Sequence, residues 1–265
     1  KYAATVELAD ADADLAILRI ADPVRMRELV PLDLATAVPK NARLQIARFQ
    51  DSGGISEGNG QIVEVSVSGL PQAPGQLLTF KVLTEVNING DGAIALLDGK
   101  VAGLTVAYDH NTRIGTLLPA AVIGRFVAEA SGPRYRGFAS AGFLWAPLVD
   151  AAERKYLKVD GRPGGVLVLS AMPGADAGSV LQSQDVLVEW DGRPIDKLGF
   201  YEDAEFGRLA LPHLVKGRRC PGDEVEAKVV RQGEERAVRV RLARQTDDRS
   251  LVPENTAGEQ AAYLA

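Results

Sequence analysis

The chain has 265 residues, 46% of them hydrophobic and 25% charged, with a formal net charge of −5. That length can bury the cores of two domains, and the acidic balance speaks against a dedicated nucleic-acid binder, whose footprint is basic. A single cysteine, Cys220, excludes an internal disulfide framework and a cysteine-based zinc site. No apolar run approaches the ~18 residues of a membrane span.

The sequence opens without a start methionine or a signal peptide and reads as a fragment whose targeting segment lies outside it. In "ATVELADADADLAILRI" two apolar stretches flank an acidic turn. Asp10, Asp12 and Asp14 mimic the start of a calcium loop. Such a loop needs glycine at its sixth position and glutamate at its twelfth, and Leu15 and Ala21 stand there. No metal or other cofactor is expected. "GGISEGNG" is rich in glycine, lacks the Gly-Lys-Ser/Thr of a phosphate loop, and reads as a surface loop. "QIVEVSVSG" alternates, which predicts a strand with Val63, Val65 and Val67 on one face. "IALLDGKVAGLTVAY" predicts a hairpin turned at Asp98-Gly99. Short strands at this spacing suggest an antiparallel barrel. In "LLPAAVIGRFVAEA" Val122, Ile123, Phe126, Val127 and Ala130 fit one helical face, with Pro119 near the start. "SGPRYRG" reads as a linker, with a boundary near residues 131–135.

A second module follows. "GGVLVLSAM" predicts a buried strand, "PGADAGSVL" a short helix, and "QDVLVEWDGRPI" a strand ending in an Asp191-Gly192 turn. In "DEVEAKVVRQGEERAVRVRLA" a hairpin turned at Gln232-Gly233 places Val225, Ala227 and Val229 opposite Val238, Val240 and Leu242. Trp145 and Trp190 are expected in the core. The cluster Lys216-Gly217-Arg218-Arg219 is expected as a solvated loop, and Cys220 as a lone thiol beside it. From Gln245 the chain loses periodicity, so residues 245–265 read as a tail or a linker toward a further domain.

This order resembles the Deg/HtrA-type serine proteases. "DADLAILRI" resembles the family's triad-aspartate segment, "NINGDGAIALLDGKVAGL" its nucleophile loop, and "GGVLVLSAMPGADAGSVLQSQDVLVEWDGRPI" a PDZ core. The segment "DKLGFYEDAEFGRLALPHLVKGRRCPGDEVEAKVVRQGE" is similar to the extended PDZ of the plant-type Deg subgroup, whose members carry a second PDZ domain. The resemblance implies a mostly β fold: a chymotrypsin-like antiparallel barrel domain over residues 1–130, then a PDZ domain over residues 134–244. Within the first, a partial barrel covers about 1–40 and a second barrel about 41–130. Homo-oligomers, and a bacterial periplasm or envelope, are likewise implied by the resemblance alone.

The same resemblance marks where this chain departs from the family. Asp14 falls on the triad aspartate, as a relic triad residue or a turn carboxylate. Gly92 falls on the nucleophile, with Asp91 beside it, and no serine lies between Ser68 and Ser131. Ala93, Ile94 and Ala95 replace the glycines and proline whose backbone N–H groups form the oxyanion hole. His110 follows the nucleophile strand, on the wrong side for the family's general base. A serine attacks only with a histidine to take its proton, so the expectation is a non-catalytic protein. In PDZ domains an X–apolar–Gly–apolar loop donates N–H groups to a peptide carboxylate, and the peptide joins the sheet edge as a strand. Ser140, Ala141, Gly142 and Phe143 match that loop, and His213 and Leu214 fall on the helix lining the groove. The expected ligands are peptides or unfolded proteins, as in protein quality control. The alternatives are an active serine endopeptidase whose triad is completed outside this chain or whose nucleophile was mutated, and a barrel serving purely as an assembly platform.

Overall fold

A computed structural model of the chain describes residues 2–50, 53–70, 73–86, 88, 92–172 and 176–244. Strands dominate. The acidic turn of the first segment joins β1 (Ala4–Asp10) to β2 (Leu15–Ile20) as an antiparallel hairpin. A short helix α1 (Pro23–Glu28) follows, capped by the Asp22 carboxylate, which accepts the N–H groups of Val24 and Arg25. Much of this hairpin and helix faces solvent, including Val6, Leu18 and Val24.

The next strands are β3 (Arg43–Phe49), β4 (Ile55–Leu70), β5 (Ala73–Thr84), β6 (Ile94–Leu97), β7 (Lys100–Asp109) and β8 (Ile114–Pro119). They close a barrel in the order β3-β4-β5-β8-β7-β6. Leu44, Ile46, Ile62, Phe80, Val82 and Leu117 fill it, each at most 2% exposed. Two expectations change here. "GGISEGNG" is not a loop: from Ile55 it runs within β4 and pairs with β3. Two of its glycines, Gly58 and Gly60, serve close packing, since a Cβ on Gly60 would lie 2.6 Å from Val82 and 2.7 Å from Ile46. Val63 does not share the half-buried face of Val65 and Val67, because a bulge between Ile62 and Glu64 resets the pleat and leaves it 53% exposed.

Helix α2 (Ala120–Ala130) starts after Pro119 and buries Ala120, Val122, Ile123 and Phe126. Val127, expected on that face, lies 44% exposed. The segment after it is packed rather than loose. The Tyr135 hydroxyl donates to Asp10 at 2.7 Å, and its ring meets Phe126 edge-on.

The second module is built on strands β9 (Ala139–Ser140), β10 (Phe143–Pro147), β11 (Val166–Ala171), β12 (Val186–Trp190) and β13 (Arg193–Pro194). Helix α3 (Ala151–Tyr156) lies between β10 and β11. A hairpin of β14 (Phe200–Asp203) and β15 (Gly207–Ala210), a π-helical turn at His213–Gly217, and strands β16 (Glu224–Arg231), β17 (Glu234–Arg241) and β18 (Ala243–Arg244) complete it. The main sheet runs β10-β11-β12-β16-β17, and β18 returns to pair with β9. The hairpins turn at Asp98-Gly99 and Gln232-Gly233, and the β12–β13 turn at Asp191-Gly192; both residues of each pair have positive φ, as a type I′ turn requires. In the last hairpin Val225 faces Val240 and Ala227 faces Val238, as expected, while Val229 faces Arg236. The helix expected in "PGADAGSVL" is a 3₁₀ turn over Asp176–Ser179, and residues 173–175 lie outside the described ones.

The two modules share one hydrophobic core. Phe80 of β5 packs against Phe206 at 5.8 Å. The guanidinium of Arg125 on α2 stacks over Phe138 and donates to the Arg219 carbonyl, while Cys220 Sγ lies 3.3 Å from Glu129. The basic cluster is not a solvated loop: Lys216 is 7% exposed, Arg218 pairs with Asp203, and Arg219 makes a bidentate pair with Asp191. Among the described residues no helix is long and apolar enough to cross a membrane.

Candidate functional site

Two places carry the chemistry that the sequence suggests. The first is the place where the family resemblance sets the nucleophile. Gly92 stands at the entry to the β6–β7 hairpin, exposed, with φ +73°. Its N–H donates to the Thr105 carbonyl at 3.0 Å, and Thr105 N–H donates back to Ala93 at 2.8 Å, so it is zipped to β7. Asp91, Gly90 and Asn89 lie outside the described residues. Asp14 is exposed on the β1–β2 turn with φ +53°. His110 follows β7 and packs edge-on against Tyr108 at 4.9 Å. Among the described residues no hydrogen bond joins Asp14, Gly92 and either histidine. The most deeply buried carboxylate of this turn is Asp10, which sequence reasoning passed over as a site. It is 2% exposed and accepts the N–H groups of Asp12 at 2.8 Å and Ala13 at 3.1 Å besides the Tyr135 hydroxyl. An aspartate that takes the amides two and three residues on is a turn-forming pattern, and that was the available signal. Among the described residues there is no His/Cys/Asp/Glu cluster able to hold a metal.

The second place is a groove of about 330 Å³ beside β10. Strand β10 is an edge of its sheet: β11 pairs with one side of it, and the chain crosses to β9 through the loop Ser140-Ala141-Gly142-Phe143. Gly142 takes φ +72°, a region a β-carbon disfavours. Its carbonyl accepts Met172 N–H at 2.8 Å, and its N–H donates to Ser140 Oγ at 3.2 Å. Ser140, Ala141, Phe143, Leu144, Trp145 and Met172 form one wall, and Leu211, Pro212, Val215 and Lys216 the facing one, with Gln76 reaching in from barrel strand β5. Trp145, expected in the core, is half-buried on this wall, whereas Trp190 is wholly buried behind it, 5.7 Å from the Phe143 ring.

His213 and Leu214 do not line this groove. Leu214 is wholly buried in the core, and His213 turns toward β14, with Nδ1 2.5 Å from the Tyr201 hydroxyl and the two rings stacked. The Tyr201 oxygen also lies 3.1 Å from Asp203, which Arg218 contacts at 2.6 Å. Burial pushes the His213 pKa down to about 4, against the opposing pull of Asp203. Burial also works against ionised Asp203, but the N–H groups of Glu205 and Phe206, with Arg218 and Tyr201, hold its pKa down at about 2. This is a buried, neutral histidine in a structural network. The π-turn explains the displacement, since its wider spacing rotates successive side chains away from their α-helical faces.

No family model matches the chain. Curated relatives do: Protease Do-like 2, chloroplastic, of Arabidopsis thaliana is 28% identical over all of this chain and 44% of that protein. A probable periplasmic serine endoprotease DegP-like of Hahella chejuensis is 36% identical over 95% of this chain and 51% of its own length. The chain thus spans about half the length of these curated relatives. Among solved structures, the HtrA-type protease AlgW with tripeptide superposes with a TM-score of 0.67 at 17% identity, covering 91% of this chain and 76% of that one. The fold is therefore the trypsin-like barrel followed by a PDZ domain, and the chain belongs with the Deg/HtrA-type proteases.

Proposed function

We propose that this chain is a non-catalytic Deg/HtrA-type protein that binds extended peptides or unfolded chains in the groove beside β10. The observation that carries the reading is the groove itself: an open strand edge, a glycine loop at its end and an apolar facing wall. A peptide added to the free edge of β10 gains backbone hydrogen bonds, and the apolar walls select its side chains. The absence of catalysis rests on Gly92, which has no side chain to attack with, and on the serine-free sequence around it. We place the protease-like domain at about residues 1–130, the PDZ domain at 134–244, and a tail or linker at 245–265.

Affinity should be micromolar, about −8 kcal/mol, because the peptide must be ordered on binding. A peptide-array screen followed by titration of the strongest hits tests this. Preference for an apolar C-terminal residue and loss of affinity on C-terminal amidation are expected; indifference to both would refute carboxylate capture. Gly142→Val should abolish binding, since valine at φ +72° costs about 1–2 kcal/mol and reshapes the loop. Ser140→Ala gives the opposite sign. It frees the Gly142 N–H for the ligand and should tighten binding severalfold in the same titration.

A further inference from the structure

We propose that Lys216 selects the ligand of this groove by pairing with a carboxylate of the bound peptide, and that the Asp12 turn holds the same ammonium when no such carboxylate is present. The inference rests on the peptide-binding reading above and names the chemistry of its ligand.

Among the described residues lining the groove, Lys216 is the one with a formal charge; the others are apolar, Ser140 or Gln76. Its side chain is 7% exposed, so the charge is not an incidental surface lysine. The ammonium sits where three elements meet. A Cβ on Gly75 of β5 would lie 3.0 Å from Lys216 Nζ and 2.6 Å from the Asp12 carbonyl. Only a residue without a side chain leaves room for both.

A buried cation is costly without a counter-charge. Burial lowers the Lys216 pKa, and the charges of Asp12 and Asp10 pull it back up. Asp10 is already occupied by two backbone N–H groups and the Tyr135 hydroxyl, with Arg244 3.6 Å away. Of the two carboxylates, Asp12 exerts the larger pull on the ammonium. On the ligand side, the Gly142 N–H is taken by Ser140. The loop thus offers a carboxylate less than its full set of donors, and a charge-assisted bond, about twice as strong as a neutral one, outweighs the remainder. The carboxylate can come from a peptide C-terminus or from an Asp or Glu side chain, and both present the same group to Nζ.

The test uses the full chain and peptides sharing one apolar sequence: one with a free C-terminus, one amidated and neutral, and one amidated with a single glutamate. Titrations of the parent should show a carboxylate peptide binding at least tenfold tighter than the neutral one, and which of the two does so identifies the source. Lys216→Gln should erase that preference, carboxylate and neutral peptides then binding alike, and Lys216→Arg should retain part of it. Asp12→Asn, which removes the competitor, should raise affinity for the carboxylate peptides severalfold and so tests the idea even if Lys216→Gln folds poorly. A preference that survives Lys216→Gln, or an Asp12→Asn variant with unchanged affinities, overturns this inference and leaves peptide binding standing. If no peptide binds the parent, the peptide-binding reading itself falls.

Discussion

Trp190→Ala is expected to be the most damaging single substitution in the second module. Trp190 ends β12, is wholly buried, and packs on Phe143 at 5.7 Å. Truncating a buried tryptophan costs about 3–5 kcal/mol through lost transfer energy and the cavity left behind. At about 2–4 °C per kcal/mol for a protein of this size, the melting temperature should fall by roughly 10 °C. Among the described residues the indole N–H has no hydrogen-bond partner. Trp190→Phe therefore gives up volume but no bond, and should cost well under half as much. Because Phe143 closes the groove loop, Trp190→Ala should also weaken peptide binding. Thermal melts of the two variants check the order, and equal losses would show that the cavity argument is wrong.

The second large effect is acid destabilisation through His213. Its folded pKa of about 4 lies below the unfolded value of 6.5. The unfolded chain therefore binds the extra proton first, and stability falls as pH drops from 6.5 toward 4. Between pH 7.5 and 4.5 the loss is on the order of 2–3 kcal/mol. Asp203 acts in a lower window: held at about 2, it contributes stability above the ordinary carboxylate range and loses it only as pH falls toward 2. Denaturant melts across this range should show the slope in the parent and a flatter profile in His213→Gln. A parent whose stability is level from pH 7.5 to 4.5 would contradict the buried-neutral assignment.

What the sequence revealed and what it hid follow from how local each signal is. The turns at Asp98-Gly99, Asp191-Gly192 and Gln232-Gly233 were readable because positive φ at two successive residues is a local demand with a recognisable composition. Gly58 and Gly60 were misread as part of a loop because their cause is distant: Gly60 makes room for Val82 and Ile46 across the barrel. Val63 left its expected face through a single bulge, and β-period arguments cannot count an extra residue. At the groove, the loop Ser140–Phe143 was visible as a motif. The facing wall was not, because an α-helical register points to His213 and Leu214 while the π-turn presents Pro212, Val215 and Lys216. Arg218 and Arg219, read as a solvated loop, find Asp203 and Asp191 only once the chain has folded.

We propose that this trypsin-like body does not cut. The most direct measurement incubates the full-length protein with casein and, separately, with a fluorophosphonate probe that labels activated serines. Intact casein and no specific labelling are expected, because the family resemblance sets Gly92 at the nucleophile position and no serine lies between Ser68 and Ser131. Probe labelling that substrate competes away, together with casein cleavage, would contradict it.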